Sequence, residues 1–329
     1  QFYNCGKCEP TRAALMTGHR NTPQIGFRAE RAKTYMADVL RTDGYRTLMA
    51  GKWHVNKNPL DHGFDRFYGI EEGACNYCTG SGHIRLGRDI VPVPENFYTT
   101  DVFTDYALRF LDESKRTDDE LPFFLYLAYN APHDPLQVPP EEIDKYRGVY
   151  DEGYEPIRRK RYERAIEQGV IDKRWEMSNG AVSWEKFQHK AWDIRCMEVY
   201  AAMVDRMDQG IGRIIKVLEE NSVLENTLVV YLQDNGGCAE GYGRVSNADK
   251  KERFDFKPFG PDDLQTKIWP PMQTRDGRFV RTGPETMPGA EDTFVAYGPG
   301  WANASNTPFR GYKHDPYEGG IGTPFIVSW

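Results

Sequence analysis

Apolar positions in this chain recur in blocks of one form: a stretch with helical spacing, a short apolar run, then polar residues. In the first block Tyr35, Met36, Val39 and Leu40 share one face of a predicted helix that Thr34 caps and Gly44 closes. The run 46–50 then reads as a strand, with Gly51-Lys52-Trp53-His54 directly after it. In the second block a helix predicted over about 102–113 precedes the aromatic run 123–129, expected to be a fully buried strand, and Asn130-Ala131-Pro132-His133 follows. In the third, a long helix predicted over about 195–220 carries Met203, Met207, Ile211, Ile214, Ile215 and Leu218. Residues 228–232 then read as a strand that delivers Asp234-Asn235-Gly236-Gly237.

Alternation of this kind predicts an α/β fold, a mostly parallel sheet flanked by helices on both faces. Ligands in such folds collect at the carboxyl ends of strands. Lys52, His54, His133, Asp234 and Asn235 are therefore expected to converge. Cys8 opens a helical segment through 13–16, and a helix N-terminus favours an anion or a nucleophile. Imidazoles and cations beside a carboxylate and an amide oxygen suit a tetrahedral oxyanion and a hard metal such as calcium.

Two regions break the alternation. Residues 141–192 are highly charged and include Arg158-Arg159-Lys160-Arg161 among glutamates, which reads as a solvated helix face, with a docking patch for an acidic glycan as the sharper alternative. Residues 236–312 are rich in Gly and Pro, with Trp269, Trp301 and Phe309 scattered among them, and read as a long loop excursion over the mouth of the site.

Composition narrows the classes. With 329 residues, 39% hydrophobic and 28% charged, the chain is long enough for one large core, and no apolar run approaches the length of a membrane span. A net charge of -7 argues against nucleic-acid binding, so any anion site is local. Cys5/Cys8 and Cys75/Cys78 form two C-x-x-C pairs, too far apart in sequence to favour a zinc site. Gln1 is not a start methionine and residues 325–329 read as mid-strand, so both ends are expected to be truncated.

Cys8-Glu9-Pro10-Thr11-Arg12 followed by Thr17-Gly18, then Gly51-Lys52-Trp53-His54, Ala131-Pro132-His133-Asp134-Pro135, Asp234-Asn235-Gly236-Gly237 and Lys313-His314-Asp315-Pro316-Tyr317-Glu318-Gly319-Gly320 together resemble, in order, the signature blocks of the formylglycine-dependent sulfatases. The resemblance spans nearly the whole chain and implies a single sulfatase catalytic domain over 1–329 with an alkaline-phosphatase-like fold. It implies that Cys8 is oxidised by a formylglycine-generating maturation enzyme to an aldehyde whose hydrate offers two geminal hydroxyls. One attacks the sulfur of a small-molecule or carbohydrate sulfate ester. The other, deprotonated by His54, expels sulfate from the covalent ester. Lys313 and His133 are implied to hold the sulfate and the bridging oxygen, Lys52 and Arg12 to support the modified residue, and Asp234, Asn235 and residue 8 to ligate Ca2+. The resemblance also implies export.

This sequence departs from the family pattern in places. Thr11 stands where serine is commoner, and Gly322 where many relatives have arginine. The family's first strand ends in an aspartate pair that completes the calcium site, and no such pair precedes Cys8, so this chain alone is expected to bind calcium poorly. Two other readings stay open: a phosphonate monoester or phosphodiester hydrolase of the same superfamily, and a non-catalytic glycan-binding relative with Cys8 unmodified.

Overall fold

The computed structural model describes residues 2–19, 34–117, 121–260 and 262–329. Its centre is a five-stranded mixed sheet in the order β4-β3-β2-β1-β5, built from β1 (Arg46–Lys52), β2 (Arg66–Ile70), β3 (Arg85–Leu86), β4 (Asp89–Ile90) and β5 (Phe123–Ala128). The long pairings are parallel: β1 runs with β2 from Leu48↔Arg66 to Lys52↔Ile70 and with β5 from Arg46↔Phe123 to Gly51↔Ala128. The short strands β3 and β4 add on antiparallel.

Helices cover both faces because β1 is apolar on both. Met49 packs with Ala13 and Met16 of α1 (Cys8–Thr17) and with Ala37 of α2 (Met36–Thr42). On the other face Leu48 meets Phe103 and Phe110 of α3 (Thr99–Thr117), and Ala50 meets Ile214 and Leu218 of a long helix (Lys190–Glu220). That helix is α6, since two short helices, α4 (Pro140–Asp144) and α5 (Tyr154–Glu167), come before it. The α/β architecture with a mostly parallel sheet, expected from the alternation, is therefore present.

Several local expectations are corrected. Tyr35, not Thr34, occupies the N-cap of α2, because the Asp38 side chain reaches back to accept from the Tyr35 backbone N–H at 3.0 Å. Val39, assigned to the apolar face, is exposed. The strand expected to be fully buried, β5, is only half-buried from Phe123 to Leu127, since it lies at the edge of its sheet with β1 as its neighbour. The third strand, β6 (Val229–Leu232), is not in the parallel sheet. It pairs antiparallel with β7 (Phe325–Ser328) in a separate two-stranded sheet, and its Asp234 end reaches the site from there.

The 236–312 excursion is more than a loop over a mouth. Its last part folds into α7 (Gly298–Ser305), and Trp301 is fully buried against α5 and α6, with ring contacts to Tyr150, Tyr154 and Trp184. A buried polar knot ties it down. Trp301 Nε1 donates to the Asp193 carbonyl at 2.7 Å, Tyr154 donates its hydroxyl to the Asp193 carboxylate, and Arg244 pairs with that carboxylate while its guanidinium lies 4.6 Å from the centre of the Trp192 ring. In the charged region, Arg158 does not belong to the solvated face. It is 1% exposed and donates to Glu155 and to the Ser178 carbonyl, whereas Arg159, Lys160 and Arg161 are exposed. No helix among the described residues is long and apolar enough to cross a membrane.

Candidate active site

Cys8 is the first residue of α1 and is 3% exposed. The turn before it is held by side chains: Asn4 accepts from Gly6 N–H at 2.7 Å, and Thr11 accepts from Cys5 N–H at 3.0 Å. The hydroxyl that Thr11 shares with serine is therefore in use. One turn into the helix, Arg12 donates Nε to Asp234 Oδ2 at 2.7 Å and Nη1 to the Lys52 carbonyl at 2.5 Å. This one side chain joins α1, the end of β1 and the end of β6.

The remaining groups arrive on strand ends and loops. Lys52 closes β1 and is buried, and burial followed by the charge of Arg12 pushes its ammonium below the ordinary lysine range. His54 sits two residues on, its backbone in the left-handed region with φ 51°. Its Nδ1 is buried without a hydrogen-bond partner, and Gly73 packs so closely that a Cβ there would lie 2.6 Å from the imidazole Cε1. Burial first, then Lys52 and Arg12, depress His54 to about 3. The ring is accordingly neutral at pH 7.

His133 follows β5, and its Nδ1 lies 2.8 Å from the Asp134 carbonyl, which fits an N–H donor there and leaves Nε2 as the second ring atom for chemistry. Burial lowers its proton affinity, Asp134 opposes the shift, and Lys52 and Lys313 add to it. Tyr77 donates its hydroxyl to the carbonyls of Asn130 and His133, which fixes the loop. For Asp234, burial favours the protonated acid, but Arg12 and Lys52 prevail and bring it to about 2.

Lys313, the residue hardest to assign from local sequence, is carried in by two backbone bonds. Its N–H donates to the Gly237 carbonyl at 3.1 Å, and the next N–H, of His314, donates to the Gly6 carbonyl at 2.7 Å. The glycines of Asp234-Asn235-Gly236-Gly237 serve this loop contact: Gly236 donates its N–H to the Gly320 carbonyl at 2.9 Å, and a Cβ on Gly236 would stand 1.7 Å from the Gly319 carbonyl oxygen. Asn235 lies in the same turn and donates Nδ2 to the Gly236 carbonyl.

Contacts tie these groups into one site: Arg12 reaches Asp234 and the Lys52 carbonyl, and the segment at Lys313 is hydrogen-bonded to Gly237 and, through His314, to Gly6 two residues before Cys8. The charge of Lys52 weakens proton binding at both His54 and His133. Cys8, Arg12, Lys52, His54, His133, Asp234 and Lys313 are thus assembled, with Asn235 beside Asp234.

Sequence reasoning missed Asp134, Cys238 and Glu240. Their ligand atoms lie within 4.8 Å of one another, and the Lys313 ammonium stands among them, 2.8 Å from Glu240 Oε2 and 3.9 Å from Cys238 Sγ. Burial opposes ionisation of Glu240, but hydrogen bonds from Cys238 and Lys313 and the lysine charge bring it to about 2. The available signal was position, since Asp134 directly follows His133, and Cys238 and Glu240 continue the loop that begins at Asp234. Among the described residues no two cysteines are joined by a disulfide.

A mostly parallel sheet flanked by helices, with a buried cysteine and Arg12 on α1, Lys52 at the end of β1, His54 and His133 in the loops after β1 and β5 and Lys313 in a later loop, is an alkaline-phosphatase-like fold carrying groups suited to an anion. That fold is shared with solved structures: Ps i-CgsB, crystallised with k-i-k-neocarrahexaose, has a TM-score of 0.57 at 22% identity over 99% of this chain and 56% of its own. The PsFucS1 sulfatase from Pseudoalteromonas sp. has a TM-score of 0.53 at 19% identity, over 99% of this chain and 53% of its own.

The chain belongs to the sulfatase family, whose model matches residues 1–329. It is 31% identical to an arylsulfatase of Klebsiella aerogenes, over all of this chain and 72% of that protein. It is 29% identical to an uncharacterized sulfatase of Schizosaccharomyces pombe, over all of this chain and 63% of that protein. The chain thus spans 63–72% of the length of these relatives and 53–56% of the two solved structures.

Proposed function

We propose that the protein carrying this chain hydrolyses a sulfate monoester at Cys8, within a single catalytic domain over 1–329, after a maturation enzyme has converted the thiol to formylglycine. The observation that carries the reading is the placement of Cys8: buried as the first residue of α1, one turn before Arg12, which reaches from the same helix to Asp234 and to the Lys52 carbonyl. Hydrated formylglycine supplies a hydroxyl nucleophile and a second hydroxyl through which the sulfate is released.

The chain's own groups have distinct tasks in this reading. Lys313 and His133 hold the sulfate and Lys52 supports the modified residue, where cations shielded from water act most strongly on developing charge. Neutral His54 takes up the proton of the second hydroxyl, and its Nδ1, which has no hydrogen-bond partner, supports that role. His133, oriented through Nδ1, presents Nε2 to the bridging oxygen. Arg12 acts at one remove, because its guanidinium is engaged by Asp234 and the Lys52 carbonyl.

Calcium fits only in part. Asp234 and Asn235 offer a carboxylate and an amide oxygen, with Asp234 Oδ2 already accepting from Arg12, whereas calcium takes six to eight oxygens. These residues do not make a calcium cage by themselves, and no step above runs through a metal. The sulfated-carbohydrate or aryl substrate and an exported location remain part of the proposal. A relative described as a putative extracellular sulfatase homolog of Caenorhabditis elegans, 24% identical, is consistent with export.

The test is expression with a formylglycine-generating enzyme, followed by mass spectrometry of the peptide over residues 1–20 and kcat/KM for an aryl sulfate against the matching phosphate diester. An aldehyde or its hydrate at position 8 and preference for the sulfate are expected. A strong preference for the phosphorus ester, or a free thiol at position 8 after such co-expression, overturns the proposal.

A further inference from the structure

Glu240 stands between the interior of the site and its mouth, and its two oxygens face different company. Oε2 looks inward and accepts from Lys313 Nζ and Cys238 Sγ, both at 2.8 Å. Oε1 looks outward to His314 Nε2 at 3.3 Å and the Tyr242 hydroxyl at 3.5 Å. Those outward contacts are longer than ordinary hydrogen bonds, so Oε1 keeps capacity to accept shorter ones.

Beyond Oε1 lies an aromatic surface. Tyr242 and Trp269 have ring centres 4.7 Å apart and are 42% and 43% exposed. The pair is braced from behind: Trp269 packs on buried Phe294 at 5.4 Å, and the Tyr242 carbonyl accepts from Ala296 N–H at 2.8 Å. His314 is 44% exposed at the same edge.

An incoming sulfate ester is an anion, and a carboxylate next to the lysine that binds it repels the ligand unless the rest of that ligand brings hydrogen-bond donors. A phenyl leaving group has none. A sugar ring has hydroxyls for Oε1 and a face of C–H groups for the aromatic pair, the usual mix of apolar wall and few polar groups in a small-molecule site. We propose that Glu240 Oε1, His314, Tyr242 and Trp269 form a subsite for the sugar that bears the sulfate, so that the leaving alcohol is a carbohydrate hydroxyl rather than a phenol. The assignment rests on the reading of Lys313 as a sulfate-binding residue.

Binding without turnover tests it. The Cys8→Ala chain is titrated calorimetrically with inorganic sulfate, phenyl sulfate and galactose 6-sulfate, alone and combined with Glu240→Gln or Trp269→Ala. Galactose 6-sulfate is expected to bind more tightly than inorganic sulfate and to lose about tenfold or more in affinity in either variant. Trp269→Ala, remote from Lys313, is expected to leave inorganic sulfate within about twofold. Glu240→Gln is expected to weaken the sugar more than phenyl sulfate. Equal losses for all three probes, or a sugar that gains nothing over inorganic sulfate, overturn the subsite while leaving the sulfate site standing. Failure of every probe, inorganic sulfate included, overturns the sulfate site and the subsite with it.

Discussion

Two regions of this molecule bury charge, and they do so in opposite ways. In the knot between α6 and the 236–312 excursion, Asp193 is met by Arg244, the Tyr154 hydroxyl and, through its carbonyl, Trp301 Nε1. At the site, Arg12 is paired with Asp234 and Lys313 with Glu240, but Lys52 at the end of β1 is acted on by both of those cations, and His54 Nδ1 and Asp134 Oδ2 are buried without hydrogen-bond partners. A buried charge with its partners holds elements together, and one of like sign beside unpartnered groups is held ready for something else. The difference lies in what surrounds the charge and not in burial, since Asp193, Arg12 and Lys52 are all buried.

The comparison can be broken by experiment. The largest expected effect is on stability at the knot: Asp193→Ala leaves Arg244 buried and uncompensated and is expected to cost about 3–5 kcal/mol, read from denaturant midpoints. A loss under about 1 kcal/mol would show that the knot is not what anchors the excursion. At the strand ends the effect should move from stability to turnover. Lys52→Met removes a charge that burial and Arg12 already disfavour, so the melting temperature is expected to hold or rise, while kcat falls about 10²–10³-fold. A matching loss of stability would place Lys52 with Asp193 as a structural charge.

The smallest effect is a slope. Because the folded His54 takes its proton only near 3 whereas the unfolded chain takes it near the ordinary histidine value of about 6.5, the unfolded state binds more protons between these limits. The stability contribution of neutral His54 is therefore full above about pH 6.5 and is lost as pH falls toward 3. His54→Gln is expected to flatten the pH dependence of unfolding free energy across that window. An unchanged slope would mean that His54 titrates normally in the fold.

Much of the site was legible because each group follows a recognisable strand or helix start: Cys8 opens α1, Lys52 ends β1, and His133 and Asp234 follow β5 and β6. Other features were not legible, for identifiable reasons. Trp301 sits in a Gly- and Pro-rich stretch that resembles a surface loop, yet it is fully buried, because the aromatic side chains that surround it come from α5 and the segments flanking it. Arg158 belongs to a charge run, and only the position of Glu155 and Ser178 turns it inward. Glu240 carries no local motif, and its meaning comes from Lys313, which lies far along the chain.

The sequence alone determined the alternation of helix and strand, the order of the polar blocks and hence the family, because apolar periodicity and short motifs are local properties. Tertiary structure alone decided that β6 leaves the parallel sheet, that Arg12 joins three elements through Asp234 and the Lys52 carbonyl, and that Lys313 is paired with Glu240. These outcomes depend on distances between segments remote in sequence, and on the burial that makes charges at such distances act strongly on one another.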